Sequence, residues 1–255
     1  MKRQLKKWTI RLVATGLLLF GLLILFMLNP VILYANKTLI GNYSIYHNRP
    51  LDKNLIAHLE QATVLIRSSE LYDPNLAVDI CLKDGSKYPG LIRNILGTDF
   101  LSSFYNKIVF TGDTINYKDN YIQLGKHKWN LTQMIAHAGI HCLEFNKYGL
   151  WNSNPIGGHP EWKWEGYPEY IARQNSVEKN LRNNIKTFLQ KDQEGHSGWI
   201  MFPDSTEIPS SFYSYMLLIQ FCVDIKKMNF GQILKDSVAE ETIKQQMMKW
   251  YNGPQ

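Results

Sequence analysis

No charged side chain interrupts the chain between Leu12 and Leu28, and this run constrains the fold more than any other feature. It is apolar almost throughout; Asn29-Pro30 closes it, and Val31 to Tyr34 adds a second apolar stretch. A helix crossing a hydrocarbon core needs about 20 such residues. Residues 12–34, with Trp8 as an interfacial anchor, are therefore expected to span a membrane. Lys2, Arg3, Lys6, Lys7 and Arg11 precede the run, and only Lys37 closely follows it. This bias keeps the N-terminus cytoplasmic and sends the chain after Asn36 to a periplasmic or extracellular space. A cleaved signal peptide is the rival reading, but Leu33-Tyr34-Ala35 puts leucine where a small residue belongs. The expectation is an uncleaved, single-pass signal anchor in the cytoplasmic membrane. Residues 1–35 then form a basic tip and anchor, and residues 36–255 an extracytoplasmic domain.

That domain is long enough to bury one substantial core. The net charge of +6 is spread along the chain rather than gathered in a stripe, which argues against nucleic-acid binding. Cys81, Cys142 and Cys222 are too few and too scattered for a disulfide framework or a CxxC metal site, so buried free thiols are expected. Asn36-Lys37-Thr38, Asn42-Tyr43-Ser44 and Asn130-Leu131-Thr132 match the glycosylation pattern. The third reads better as a helix N-cap.

The hydropathy pattern gives an α+β domain with a small sheet and a mainly helical C-terminal half. Ala35 to Pro50 reads as a polar stalk. Asp52 caps a helix running to about Glu70, with Leu55, Ile56, Leu59, Ala62, Val64 and Leu65 on its apolar face. Ala77–Leu82 reads as a strand, and Asp84-Gly85 as the turn after it. Pro89–Phe104 is a short helix or irregular segment. Lys107–Thr111 and Tyr121–Leu124 are strands expected to share one sheet. Asn130 opens a helix that Tyr148-Gly149 ends. A second helix is expected from Glu161–Trp164 through Ala172 towards Gln190, starting at or after Trp164 so that Pro168 is tolerated. Trp199–Phe202 is a possible strand, and Pro209 opens a helix through Asp224.

The chemistry lies in His137-Ala138-Gly139-Ile140-His141. Positions i and i+4 share one helical face, so both imidazoles can reach one metal ion. A catalytic zinc takes three protein ligands and leaves a position for water. Glu165 or Glu169, also four apart, can complete such a set. One carboxylate would bind metal while the other hydrogen-bonds the far nitrogen of a ligand histidine; the spacing leaves both assignments open. The aromatics Trp151, Trp162, Trp164, Tyr167 and Tyr170 read as core packing before cleft lining. Tyr213, with Tyr215 beside it, is the candidate phenol for steadying a developing oxyanion. His159 and His196 read as loop residues.

His-x-x-x-His followed by Trp-x-x-Glu-Gly-x-x-Glu-Tyr resembles the gluzincin group of zinc metallopeptidases, especially small bacterial membrane-anchored members. The resemblance covers Asn130 to Ala172, and Ser210 to Asp224 loosely. It implies a zincin-like domain that binds zinc through His137, His141 and Glu165, with Glu169 as the companion carboxylate. The departure is Ala138, where the family carries the glutamate that takes a proton from zinc-bound water. A general acid–base group contributes about 100- to 10,000-fold, so alanine should impair turnover even with zinc bound. Glu144 shares the histidine face, but to substitute it would have to reach back past His141.

Three functions follow as expectations. The first is a membrane-anchored zinc metallopeptidase-like protein with an impaired site. The second is a non-catalytic envelope protein that uses the same scaffold to hold a peptide or protein, a reading Ala138 favours. The third is a structural envelope protein in which the motif is inherited packing.

Overall fold

The N-terminal run forms one helix, α1 (Lys2–Leu28). Its segment Lys7–Leu28 has a mean hydropathy of 2.4 and is exposed along its length except at Met27, which is half-buried near its end. At 1.5 Å per residue this segment is about 33 Å long, enough to cross a membrane. Asn29 ends the helix by donating from Nδ2 to the Leu25 carbonyl, and a 3₁₀ turn follows over Pro30–Leu33. The computed structural model describes residues 2–175, 179–193 and 198–253 of a mixed α/β chain with small sheets; His196 lies outside the described residues.

The expected stalk is corrected. Residues 36–47 are a hairpin, β1 (Asn36–Ile40) and β2 (Tyr43–His47), turning at Gly41, whose φ of 55° suits glycine. They belong to a five-stranded sheet of order β1-β2-β3-β5-β4, where β3 is Val78–Cys81, β4 is Leu101–Phe104 and β5 is Lys107–Phe110. Strands β2, β3 and β5 run parallel, and β1 and β4 run antiparallel at the two edges. Because β2 is an inner strand covered on both faces, Ser44 to His47 are all buried. No alternation betrays such a strand, and its polar groups are paired: Thr38 Oγ1 meets His47 Nε2 at 2.8 Å.

Helix α2 (Lys53–Ile66) links β2 to β3; Asp52 caps it by accepting from the Asn54 amide at 2.8 Å. It ends about one turn before Glu70. Pro89–Phe104 resolves into the end of α3 (Tyr88–Leu96) and the edge strand β4, which the sequence pattern had not separated. Helices α2 and α3 pack on opposite faces of the sheet: Ile45, Ile80 and Ile108 face the core with α2, while Tyr46, Cys81 and Val109 face Tyr88 and Ile92 of α3.

A second sheet contains β6 (Thr114–Asn116), β7 (Tyr121–Leu124) and β8 (His127–Asn130). The expectation that Lys107–Thr111 and Tyr121–Leu124 share a sheet is therefore overturned; a polar turn redirects the chain between them. Asn130 caps α4 (Leu131–Tyr148) by accepting from the Gln133 amide at 3.1 Å, and Gly149, at φ 73°, ends it.

The long second helix is corrected to three: α5 (Glu161–Trp164), α6 (Gly166–Ala172) and α7 (Leu181–Gln193). Pro168 falls in the first turn of α6, where a missing amide N–H costs no intrahelical bond. A hairpin of β9 (Trp199–Met201) and β10 (Glu207–Pro209) precedes α8 (Ser210–Gln220), which runs on as a π turn over Phe221–Ile225. Helices α9 (Phe230–Lys235) and α10 (Glu240–Asn252) finish the chain. All three cysteines are buried free thiols, as expected.

Candidate metal centre

Helix α4 carries His137 and His141 on one face, and α6 packs alongside it. Two glycines permit the close packing around them. A Cβ on Gly139 would stand 2.6 Å from Ile66 Cδ1 of α2, and one on Gly166 would stand 2.7 Å from the Tyr215 carbonyl oxygen of α8. The break between α5 and α6 sets Glu165 at the junction, facing the histidines across the gap.

Three donor atoms converge there. His137 Nε2 and His141 Nε2 are 3.1 Å apart, and Glu165 Oε2 lies 3.3 Å from the first and 3.2 Å from the second. Donors about 2.0–2.1 Å from one tetrahedral ion would stand about 3.3–3.4 Å from each other, so the spacing fits a zinc-sized cation. The other ring nitrogens are each held by a buried carboxylate: His137 Nδ1 meets Glu169 Oε2 at 3.0 Å, and His141 Nδ1 meets Glu144 Oε2 at 2.7 Å. A carboxylate only accepts, so each Nδ1 carries a proton and each Nε2 presents a lone pair. With both imidazoles neutral, as a metal ion requires, two lone pairs and a carboxylate oxygen would face one another. His137, His141 and Glu165 form a group able to hold a metal ion.

The charges point the same way. Glu144, Glu165 and Glu169 are balanced in part by Arg173, whose Nε donates to Glu169 Oε1. With both imidazoles neutral, the cluster keeps two uncompensated negative charges, which a divalent cation or two protons would balance. Protons do so in the cation-free chain. Burial opposes charge on His141, but Glu165 and Glu144 outweigh it and push the imidazole up to about 10. Burial opposes charge on His137 too, and its bonds to Glu165 and Glu169 prevail, raising it. The Glu165 carboxyl is held well below the usual range because His141 and His137 outweigh its burial.

Glu169 holds the far nitrogen of His137 through one oxygen and accepts from Arg173 through the other. Glu144 does not sit where a replacement base belongs. Its Oε2 is bound on the far side of the His141 ring, its Oε1 is buried without a partner, and burial raises it to about 7. Ala138 is itself buried, and its methyl packs into the core. Tyr213 is buried and packs with Phe188, Phe202 and Arg173, the residue that donates to Glu169. Tyr215 comes closer: burial raises its phenol, and the charges of Glu240, Glu161 and Glu165 add to the rise.

Among the aromatics, Trp162, Trp164, Tyr167 and Tyr170 are buried, whereas Trp151 is 76% exposed. Trp164 stacks near His141 with ring centroids 6.2 Å apart, and His159 stacks on the same indole at 5.2 Å. Sequence reasoning missed Arg173, which follows Glu169 by one helical turn, and Asp99, just before β4. Burial raises the Asp99 carboxyl, which also feels the charges of His137, Glu165 and His141. The spacing of Arg173 from Glu169 was a readable signal; nothing in the sequence ties Asp99 to the histidines.

No protein-family profile matches the chain, and comparison with curated proteins and with solved structures gives no match either.

Proposed function

We propose that this chain is a membrane-anchored, gluzincin-like zinc protein whose peptidase chemistry is impaired by Ala138. One observation carries the reading: two Nε2 atoms and a carboxylate oxygen lie 3.1–3.3 Å apart, with each Nδ1 oriented by its own carboxylate. The domain is read as zincin-like because helix α4, bearing the paired histidines, runs beneath the edge strand β4 and meets its third ligand on a following helix. The anchor is read as a single pass with the N-terminus in the cytoplasm and residues 36–255 outside it.

In this reading His137, His141 and Glu165 hold zinc. Bound zinc supplies a water of lowered pKa and polarises a carbonyl. Glu169 and Glu144 fix the tautomers and ring planes of the two histidines, and Arg173 holds Glu169 in place. Position 138 offers no proton carrier. Ala138 favours a second reading, in which the same cleft holds a peptide or partner protein without cutting it.

The full-length protein, purified and dialysed against zinc, should carry one zinc per chain, and His137→Ala and Glu165→Ala should each lose it. Zinc retained by both variants would overturn the ligand assignment. Ala138→Glu separates the two readings: peptide hydrolysis gained by about 100-fold or more supports the impaired peptidase. If that variant keeps its zinc and still cuts nothing in a broad peptide library, the binding-protein reading stands instead.

A further inference from the structure

The anchor and the domain are joined without a flexible linker. Tyr88 Oη donates to the Met27 carbonyl, Ser86 Oγ donates to the Leu33 carbonyl at 2.7 Å, and Tyr34 Oη donates to the Leu82 carbonyl at 2.9 Å. The Ala35 amide donates to Asn48 Oδ1 at 2.8 Å. Tyr34, Tyr46, Cys81, Tyr88, Ile92 and Val109 pack into one buried cluster that takes in Met27 and Leu33. The end of α1 is therefore part of the core on the α3 face of the sheet.

Strand direction then orients the sheet. Strand β1 leaves the anchor at Asn36, so its far end, the Gly41 turn, points away from it. Strands β2, β3 and β5 run back towards the anchor, and β4 starts at that near end, with Leu101 opposite Phe110. The last turn of α3 lies at the same near end, because Arg93 Nη1 pairs with Asp113 at 2.9 Å, just past β5. Here the molecule exposes apolar side chains: Val31 56% and Ile32 62% beside the anchor, and Ile95 38% and Leu96 48% on α3. Lys87 is also exposed there, and Arg93 is half-buried. Isoleucine and leucine beside basic groups, level with the mouth of a membrane helix, make an interfacial surface.

We propose that the last turn of α3, with Val31 and Ile32, rests on the lipid bilayer, so that the domain sits down on the membrane. This rests on reading α1 as a membrane anchor.

Depth measurements test the seat. Single cysteines are introduced as Leu19→Cys, Leu96→Cys and Leu39→Cys, each labelled with an environment-sensitive fluorophore. The native thiols are buried and do not compete. The full chain is reconstituted into phosphatidylcholine–phosphatidylglycerol vesicles carrying nitroxide-labelled lipids. The expected result is deep quenching at Leu19→Cys, shallow quenching at Leu96→Cys several-fold above that at Leu39→Cys, and almost none at Leu39→Cys, near the far end of the sheet. If Leu19→Cys is quenched while Leu96→Cys behaves like Leu39→Cys, the seat is overturned and the anchor stands. If Leu19→Cys is not quenched, the anchor reading falls and the seat with it.

Discussion

Glu169 binds two partners at once: its Oε2 meets His137 Nδ1 at 3.0 Å while its Oε1 accepts from Arg173 Nε, and all three side chains are buried. The carboxylate therefore orients one of the converging imidazoles and neutralises an interior guanidinium. Glu169→Gln keeps the shape and a single acceptor, and should weaken zinc affinity by about 10- to 100-fold, as is usual for such supporting partners. Glu169→Ala removes the acceptor of buried Arg173 as well as the charge, and should in addition destabilise the fold by roughly 3–5 kcal/mol. Zinc titration of the first variant and denaturant unfolding of the second would check each. Equal stability loss in both would mean that Arg173 depends on the charge of Glu169 and not on a retained acceptor.

The metal-free chain should lose stability as the solution becomes alkaline. His141 is raised from 6.5 to about 10, chiefly by Glu165 and Glu144 against the pull of burial. A group raised in the folded state stabilises fully below its unfolded pKa, and that contribution disappears as pH rises through its folded pKa. Glu165 is shifted downward, so its contribution is lost in acid instead. In chelator, Tm should therefore fall between about pH 7 and 10. Zinc requires the Nε2 lone pairs and must displace the His141 proton, so the Tm gain on adding zinc should grow from about pH 6.5 towards 10. A zinc-induced gain that is flat across this range would argue against imidazole ligation.

Gly166 follows the third ligand, and the backbone leaves its Cβ no room. The nearest obstacle is the Tyr215 carbonyl oxygen at 2.7 Å, part of α8 rather than a side chain that can rotate away. Gly166→Ala should cost roughly 1–3 kcal/mol and push α6 off α8. Because Glu165 is the adjacent residue, zinc occupancy should fall as well. Unfolding curves and zinc content measured on the same preparation would show both effects.

The site was legible because its ligands are close in sequence and their spacing maps directly onto a helix face. His137 and His141 are one turn apart, and the Glu165-Gly166 pair lies on the next elements of the chain. Asn130 as a cap, the α2 start at Asp52 and the buried thiols were equally local. What escaped was set by tertiary pairing. Strand β2 is buried on both faces and shows no alternation, so the hairpin passed for a stalk. Strand β4 is four residues long and gains its identity only from β5. The break falls at Glu165-Gly166, where the packing of Gly166 on α8 sets it. Asp99 approaches the histidines only through the sheet, a relationship no sequence spacing records.

Gly139 separates the ligand face of α4 from the face that meets α2, and its substitution should divide stability from metal binding. A Cβ there would stand 2.6 Å from Ile66 Cδ1, the free end of a side chain, with Ile66 Cγ1 next at 3.5 Å. Removing that one methyl relieves the clash. Gly139→Ala alone should cost roughly 1–3 kcal/mol by overpacking. In the Gly139→Ala/Ile66→Val double variant most of that loss should return, giving a coupling energy between the two positions well above the few tenths of a kcal/mol typical of independent sites. Zinc content should stay at one per chain in every member of the cycle, since Gly139 lies on the opposite side of α4 from His137 and His141. Urea unfolding and metal analysis of the four proteins would decide it: additive losses would mean that Ile66 is not the obstacle, and zinc loss in Gly139→Ala would mean that the two faces of α4 are not independent.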